Sequence, residues 1–186
     1  MGSIFSLMQR EQRQQEVLKV MECNQVSKRY GLVLTEEAVK QLMQCRETSL
    51  RDSGRVEFAE GILSAVIYAF CDSPYMNQEE YADNLAQLQE IFYQYKNESL
   101  DLLTDEELLR FMRRHFDETC YGDMEYLSGT CLERFARAIR QGYKTRSAKE
   151  ERDEYLLRTA DSEYCDLNEE GGWNVELFWQ ALENEF

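Results

Sequence analysis

An all-α fold, a compact bundle of about six or seven helices with a C-terminal helical appendage, is predicted by three features of the sequence. Its 21 leucines outnumber the 13 valines plus isoleucines, and leucine loses less rotamer freedom in a helix than β-branched residues do. A single proline and nine glycines punctuate 186 residues, which leaves long stretches without a breaker. Between those breaks apolar residues recur at steps of three and four, the period of one helix face.

Taken in order, a first helix is predicted from Gln12 to Tyr30, with Val17, Val20, Met21 and Tyr30 apolar and Gly31 as a left-handed stop. Thr35 caps a second, whose inner stripe is Val39, Leu42, Met43 and Leu50. Glu36 and Glu37 complement the positive end of its dipole, and Asp52-Ser53-Gly54 ends it. The third, Phe58 to Cys71, is nearly uncharged after Glu60 and reads as the central, most buried helix, although Val66-Ile67-Tyr68 also suits a strand. Asp72-Ser73-Pro74 breaks the chain. Asn77 with Glu80 forms a capping-box variant ahead of Tyr81, Leu85, Leu88, Phe92 and Tyr95. Thr104 with Glu107 is a full capping box ahead of Leu108, Leu109, Met112 and Phe116. A sixth helix follows Gly122-Asp123, with Met124, Leu127, Cys131, Phe135 and Ile139 inward and Gly142 as its stop. Residues 1–142 are therefore expected to form a core domain. Residues 143–186 form a charged appendage, ending in a short helix on which Trp173 staples to Phe178.

Composition excludes several function classes. A net charge of −15 repels phosphate backbones and anionic headgroups, so neither a nucleic-acid nor a membrane partner is expected. No apolar run approaches the ~20 residues a spanning helix requires. One histidine rules out sites built from two or more imidazoles. The six cysteines contain no close pair such as CxxC, which reads as reduced thiols in a cytoplasmic protein. Residues 57–106 hold eleven acidic groups and one basic group, and residues 161–186 hold eight acidic groups and no basic one. Such blocks are solvated faces or acidic surfaces for a partner with a basic surface.

Asp166, Asn168 and Glu170, followed by Gly171, occupy positions 1, 3, 5 and 6 of a calcium-loop pattern. Leu177 stands where the closing bidentate glutamate belongs and Glu176 falls one residue early. The segment therefore reads as an acidic capping turn, and no metal or cofactor is expected. His115, with Cys120 five residues on and Asp117 to orient it, has the composition of a nucleophilic pair. It matches no cysteine-enzyme signature, and His115 shares a helical stripe with Leu108 and Met112, so a partly buried structural histidine is expected and no catalytic residue is assigned. Met1-Gly2 with Ser6 fits the N-myristoylation pattern, without the basic patch that a single acyl chain needs for stable anchoring. No phosphate-binding glycine loop, GxSxG elbow or kinase motif occurs. Trp173, Phe178, Trp179 and Leu182 in the acidic C-terminal segment are candidate anchors for a protein partner.

The stretches Tyr30-Gly31-Leu32-Val33-Leu34-Thr35-Glu36-Glu37, Leu102-Leu103-Thr104-Asp105-Glu106-Glu107-Leu108-Leu109 and Tyr126-Leu127-Ser128-Gly129-Thr130-Cys131-Leu132-Glu133 resemble an uncharacterised family of Firmicute, mainly clostridial, proteins classed only as a domain of unknown function. The resemblance covers roughly residues 25–142 and carries no catalytic motif. It implies a bacterial cytosolic setting and no chemistry. The expectation is a non-enzymatic interaction or regulatory module. A small-molecule or ion binder with a pocket between helices is one alternative, and an acidic nucleic-acid-mimicking inhibitor is another.

Overall fold

In the computed structural model the described residues are 4–57 and 61–141, with side chains from Glu11 onward. Among them there are helices and no strand, so the fold is all-α. The chain divides into two compact units, Met1–Gly129 and Thr130–Phe186. The boundary expected at Gly142 falls just beyond the described part of the second unit.

The first unit begins with α1 (Ile4–Glu22). Of the apolar positions expected here, Val17 and Val20 are buried, Met21 is half-buried and Tyr30 is exposed, while Cys23 just past the helix is buried as well. The long first helix expected to reach Tyr30 is instead broken at Cys23. It continues as the single turn α2 (Asn24–Ser27) and a 3-10 turn over Lys28–Tyr30, which ends on Gly31 at φ 78°. The break lets the Asn24 side-chain amide hydrogen-bond the backbone of Leu34 in both directions, each at 2.8 Å, folding the chain back toward the next helix.

That helix, α3 (Glu36–Asp52), starts where Thr35 Oγ1 accepts the Ala38 N–H at 3.1 Å. It buries Val39, Leu42, Met43 and Leu50, as its periodicity predicts, and also Arg46. Of the helix expected over Phe58 to Cys71, residues 58–60 lie outside the described ones, and the rest forms α4 (Leu63–Phe70) after a left-handed Gly61 at φ 54°. It packs against α1, α2, α3, α5 (Tyr81–Glu98) and α6 (Asp105–Glu118) and buries Leu63, Val66, Ile67 and Phe70, the central place its apolar composition predicts. α5 packs against α3, α4 and α6. A helix with neighbours on three sides buries a wide arc, here Tyr81, Leu85, Leu88, Gln89, Ile91, Phe92, Tyr93 and Tyr95. Each fully buried large apolar side chain contributes about 1.5–3 kcal/mol relative to exposure.

α5 runs in the same direction as α3, since Gln89 lies opposite Leu42 and Asn97 opposite Arg55, just past the end of α3. Asn77 acts in the turn before α5, where its side chain accepts the Glu80 N–H at 2.9 Å and donates to the Glu80 carboxylate at 2.8 Å. α6 (Asp105–Glu118) opens with the complete Thr104–Glu107 capping box. Asp123 caps the short α7 (Met124–Tyr126), which runs into a π turn over Leu127–Cys131. In the second unit the described residues 132–141 are helical, with Phe135, Ala136, Ala138 and Ile139 buried. Cys131 is buried as well.

Candidate functional site

Several of the acidic groups in residues 57–106 serve the fold. Arg55 holds Asp101 with a bidentate pair at 2.8 and 3.1 Å and reaches Asn97 at 2.7 Å. Lys96 bonds Asp105 at 2.7 Å and donates to the Leu103 carbonyl at 3.1 Å. Arg113 binds Asp72 at 2.6 Å, Asp117 at 2.7 Å and the Ala69 carbonyl at 2.9 Å, closing the C-terminal end of α4 onto α6. Glu57 turns inward, where its carboxylate accepts the Tyr93 hydroxyl at 2.8 Å and the Ile62 N–H at 3.2 Å. What remains outside these contacts includes Glu79, Asp83 and Glu90. Asp83 and Glu90 lie with Gln87 and Asn97 on the narrow exposed stripe of α5, which bears acidic and amide groups and no cation.

A polar seam runs inside the α3–α5 contact. Arg46 lies one turn beyond Leu42 on α3, and Tyr93 one turn beyond Gln89 on α5, and all four are buried. Gln89 Nε2 reaches the Leu42 carbonyl at 3.5 Å, while its Oε1 has no hydrogen-bond partner. Burial, reinforced by the bond to the Glu57 carboxylate, pushes the Tyr93 phenol well above its ordinary value, so it stays protonated and donates. These residues join the two helices, and Tyr93 also lines a cleft of about 300 Å³ between the ends of α3 and α5.

His115 is buried, as expected of a structural histidine, and Asp117 does not orient it. Both Asp117 oxygens are engaged elsewhere, one accepting the Ser73 hydroxyl at 2.6 Å and the other pairing with Arg113. His115 is buried, stacks on Phe111 with ring centroids 4.3 Å apart and meets the Thr119 hydroxyl at 3.0 Å through Nδ1. Burial first, and Arg114 second, push its imidazole down to about 4 against the opposing pull of Glu118. The unfolded chain therefore binds a proton between about pH 6.5 and 4 that the folded chain refuses, and stability falls as pH drops through that window. His115→Phe is expected to flatten this limb in urea titrations run at pH 7, 5.5 and 4.5. An unchanged slope would assign it to other groups.

An open concavity lies between α1 and α3, a groove of about 630 Å³ lined by Arg13, Gln14, Val17, Glu36, Lys40, Met43, Gln44 and Glu47. The α3 residues fall at intervals of three and four over eleven positions, a stripe of roughly 16 Å. Val17 and Met43, both largely buried, form its floor. The rim carries two cations and two anions already matched, Arg13 with Glu47 and Lys40 with Glu36, each at 2.7 Å. Exposed ion pairs of this kind contribute little to stability, about 0–1 kcal/mol. The groove is thus charge-balanced on a chain of net charge −15. Sequence periodicity does show Val17 and Met43 as apolar, but places both on core stripes. Only the packing of α1 beside α3 reveals that they line an open groove.

Asp166, Asn168 and Glu170, and the proposed anchors Trp173, Phe178, Trp179 and Leu182, lie outside the described residues. Among the described residues no group of three or more His, Cys, Asp or Glu side chains is placed to hold a metal. None of the described helices is long and apolar enough to cross a membrane.

No curated protein and no solved structure matches the chain. Residues 19–145 match the family of unknown function DUF6323. That stretch runs from the end of α1 past the last described helix, and with more than half of its length matched the chain belongs to this family.

Proposed function

We propose that the chain is a non-enzymatic protein–protein interaction module of the bacterial cytosol, and that the α1–α3 groove receives an amphipathic helix of a partner protein. The observation that carries this reading is the charge-balanced groove with its apolar floor. A partner helix of about three turns matches the 16 Å stripe on α3, laying its apolar face on Val17 and Met43 in the helix-in-groove mode. The surrounding negative charge favours a partner whose outer surface is basic, because complementary potentials speed encounter and repel nucleic acids and anionic membranes. Cys23, Cys45 and Cys71 are free thiols, which suits a reducing compartment. The segment bearing Trp173, Phe178, Trp179 and Leu182 is proposed as a second anchor on sequence grounds alone.

The test is photo-crosslinking in the native host with p-benzoylphenylalanine placed at Gln44 in the groove and, as a control, at Gln87 on the exposed stripe of α5. An adduct with a second protein is expected from Gln44 and not from Gln87. Reversing the rim anions with Glu36→Lys and Glu47→Lys, both surface changes that would repel a basic partner, is expected to remove the adduct while circular dichroism stays the same. Equal yields at the two positions, or an adduct indifferent to charge reversal, would refute the groove as the binding site.

A further inference from the structure

A chain of aromatic rings leads from the core of the first unit to solvent. Phe70 and Phe116, both fully buried, meet edge to face at 5.5 Å. Phe116 meets Tyr75 at 6.2 Å, and Tyr75 meets Tyr121 at 6.4 Å, again edge to face. Exposure rises along the series to 36% at Tyr75 and 68% at Tyr121. Tyr75 is fixed from below. Its backbone N–H donates to the Ser73 hydroxyl at 3.3 Å, and that hydroxyl donates to Asp117, which Arg113 holds.

Tyr121 is held at φ 51°, the left-handed conformation that L side chains disfavour. Glycine or asparagine is the usual occupant of such a position. Here the strained position carries a large ring that is mostly in water, so burial returns little for the strain. Strain of this kind concentrates where a side chain must be presented.

The flanks specify what the rings would meet. Residues 71–80 contribute Asp72, Glu79 and Glu80, and residues 117–126 contribute Asp117, Glu118, Asp123 and Glu125, and neither stretch has a lysine or arginine. The nearest cations, Arg113 and Arg114 on α6, are committed to Asp72 and Asp117 and to Glu118. Glu79 and Glu125 are left facing solvent.

We infer that Tyr75 and Tyr121 form a second docking point, separate from the groove, which takes an arginine-bearing segment of a partner protein. A guanidinium lies flat on a tyrosine face, attracted by the ring quadrupole, while its N–H fork reaches adjacent carboxylates. The same carboxylates repel phosphates, which separates this surface from a nucleic-acid or lipid site. It stands on the Tyr121 backbone and the aromatic series, and does not depend on the groove.

The experiment uses the 15N-labelled full chain and two synthetic probes, Gly-Arg-Gly-Arg-Gly and the same peptide with glutamate for arginine. Saturable amide shifts at Tyr75, Tyr121 and Gly122 are expected with the arginine peptide and none with the glutamate one. Tyr121→Gly is expected to weaken arginine-peptide binding by about tenfold or more, with a melting temperature unchanged or higher. A lower melting temperature would make the ring structural and overturn the inference. So would equal binding by the variant, shifts centred elsewhere, or the same amides responding to duplex DNA or anionic vesicles.

Discussion

Replacing Glu57 with alanine is expected to destabilise the first unit by about 3 kcal/mol, far more than a half-buried loop residue usually costs. The change strands two groups at once. The Tyr93 hydroxyl, almost wholly out of water, loses the acceptor at 2.8 Å, and a buried donor left unpaired costs about 1–3 kcal/mol. The buried Arg46 guanidinium, which converges with the Glu57 carboxylate on the Cα of Gly61, loses a nearby negative charge. The Ile62 N–H at the start of α4 is released as well. Glu57→Gln keeps an acceptor for Tyr93 and discards only the charge, so it should fall between wild type and Glu57→Ala. Tyr93→Phe removes the donor and leaves the half-exposed carboxylate to water, for a loss nearer 1 kcal/mol. Urea denaturation of the full chain and the three variants ranks them. Glu57→Ala within 1 kcal/mol of wild type would show that the seam does not depend on this carboxylate.

The same residue marks where sequence reading stops. Caps are local, because the partner of Thr104 is three residues away, and the chemistry of Thr104 and Thr35 was legible for that reason. So was the periodic burial of Val39, Leu42, Leu85 and Leu88. Glu57 finds Tyr93 across 36 positions and Arg113 finds Asp72 across 41, and no spacing rule links residues brought together only by helix packing. The acidic block at 57–106 looked like a surface because its cations, Arg55 and Arg113, lie outside it in the chain. The central helix was legible as well, since residues 63–70 are the most apolar stretch and α4 packs against α1, α2, α3, α5 and α6. The breadth of the buried arc on α5 was not, because contact with three neighbours draws in polar positions such as Gln89 and Tyr93 that a single inward stripe leaves out.

Two adjacent left-handed residues should respond to substitution in opposite ways. Gly122→Ala is expected to cost about 3 kcal/mol, from the strain of an L residue at φ 87° and from overpacking. A Cβ at Gly122 would sit 2.6 Å from the Tyr75 Cβ and 2.8 Å from its Cγ. These atoms cannot swing aside like the end of a flexible chain, because Ser73 and Phe116 fix the Tyr75 backbone and ring. Relief requires the α6–α7 turn to open, breaking the bond from Gly122 N–H to the Phe116 carbonyl at 2.9 Å. Differential scanning calorimetry should show the melting temperature falling by roughly 6–12 °C. Tyr121→Gly, one residue earlier, removes strain and meets no neighbour, while it gains freedom in the unfolded chain, so its net effect on stability should be near zero. The contrast separates backbone demand from side-chain purpose. If both variants melt early, the turn is a structural device and Tyr121 packs where it is needed. If only Gly122→Ala does, the fold tolerates losing the Tyr121 ring, and what the ring supplies is exercised on another molecule.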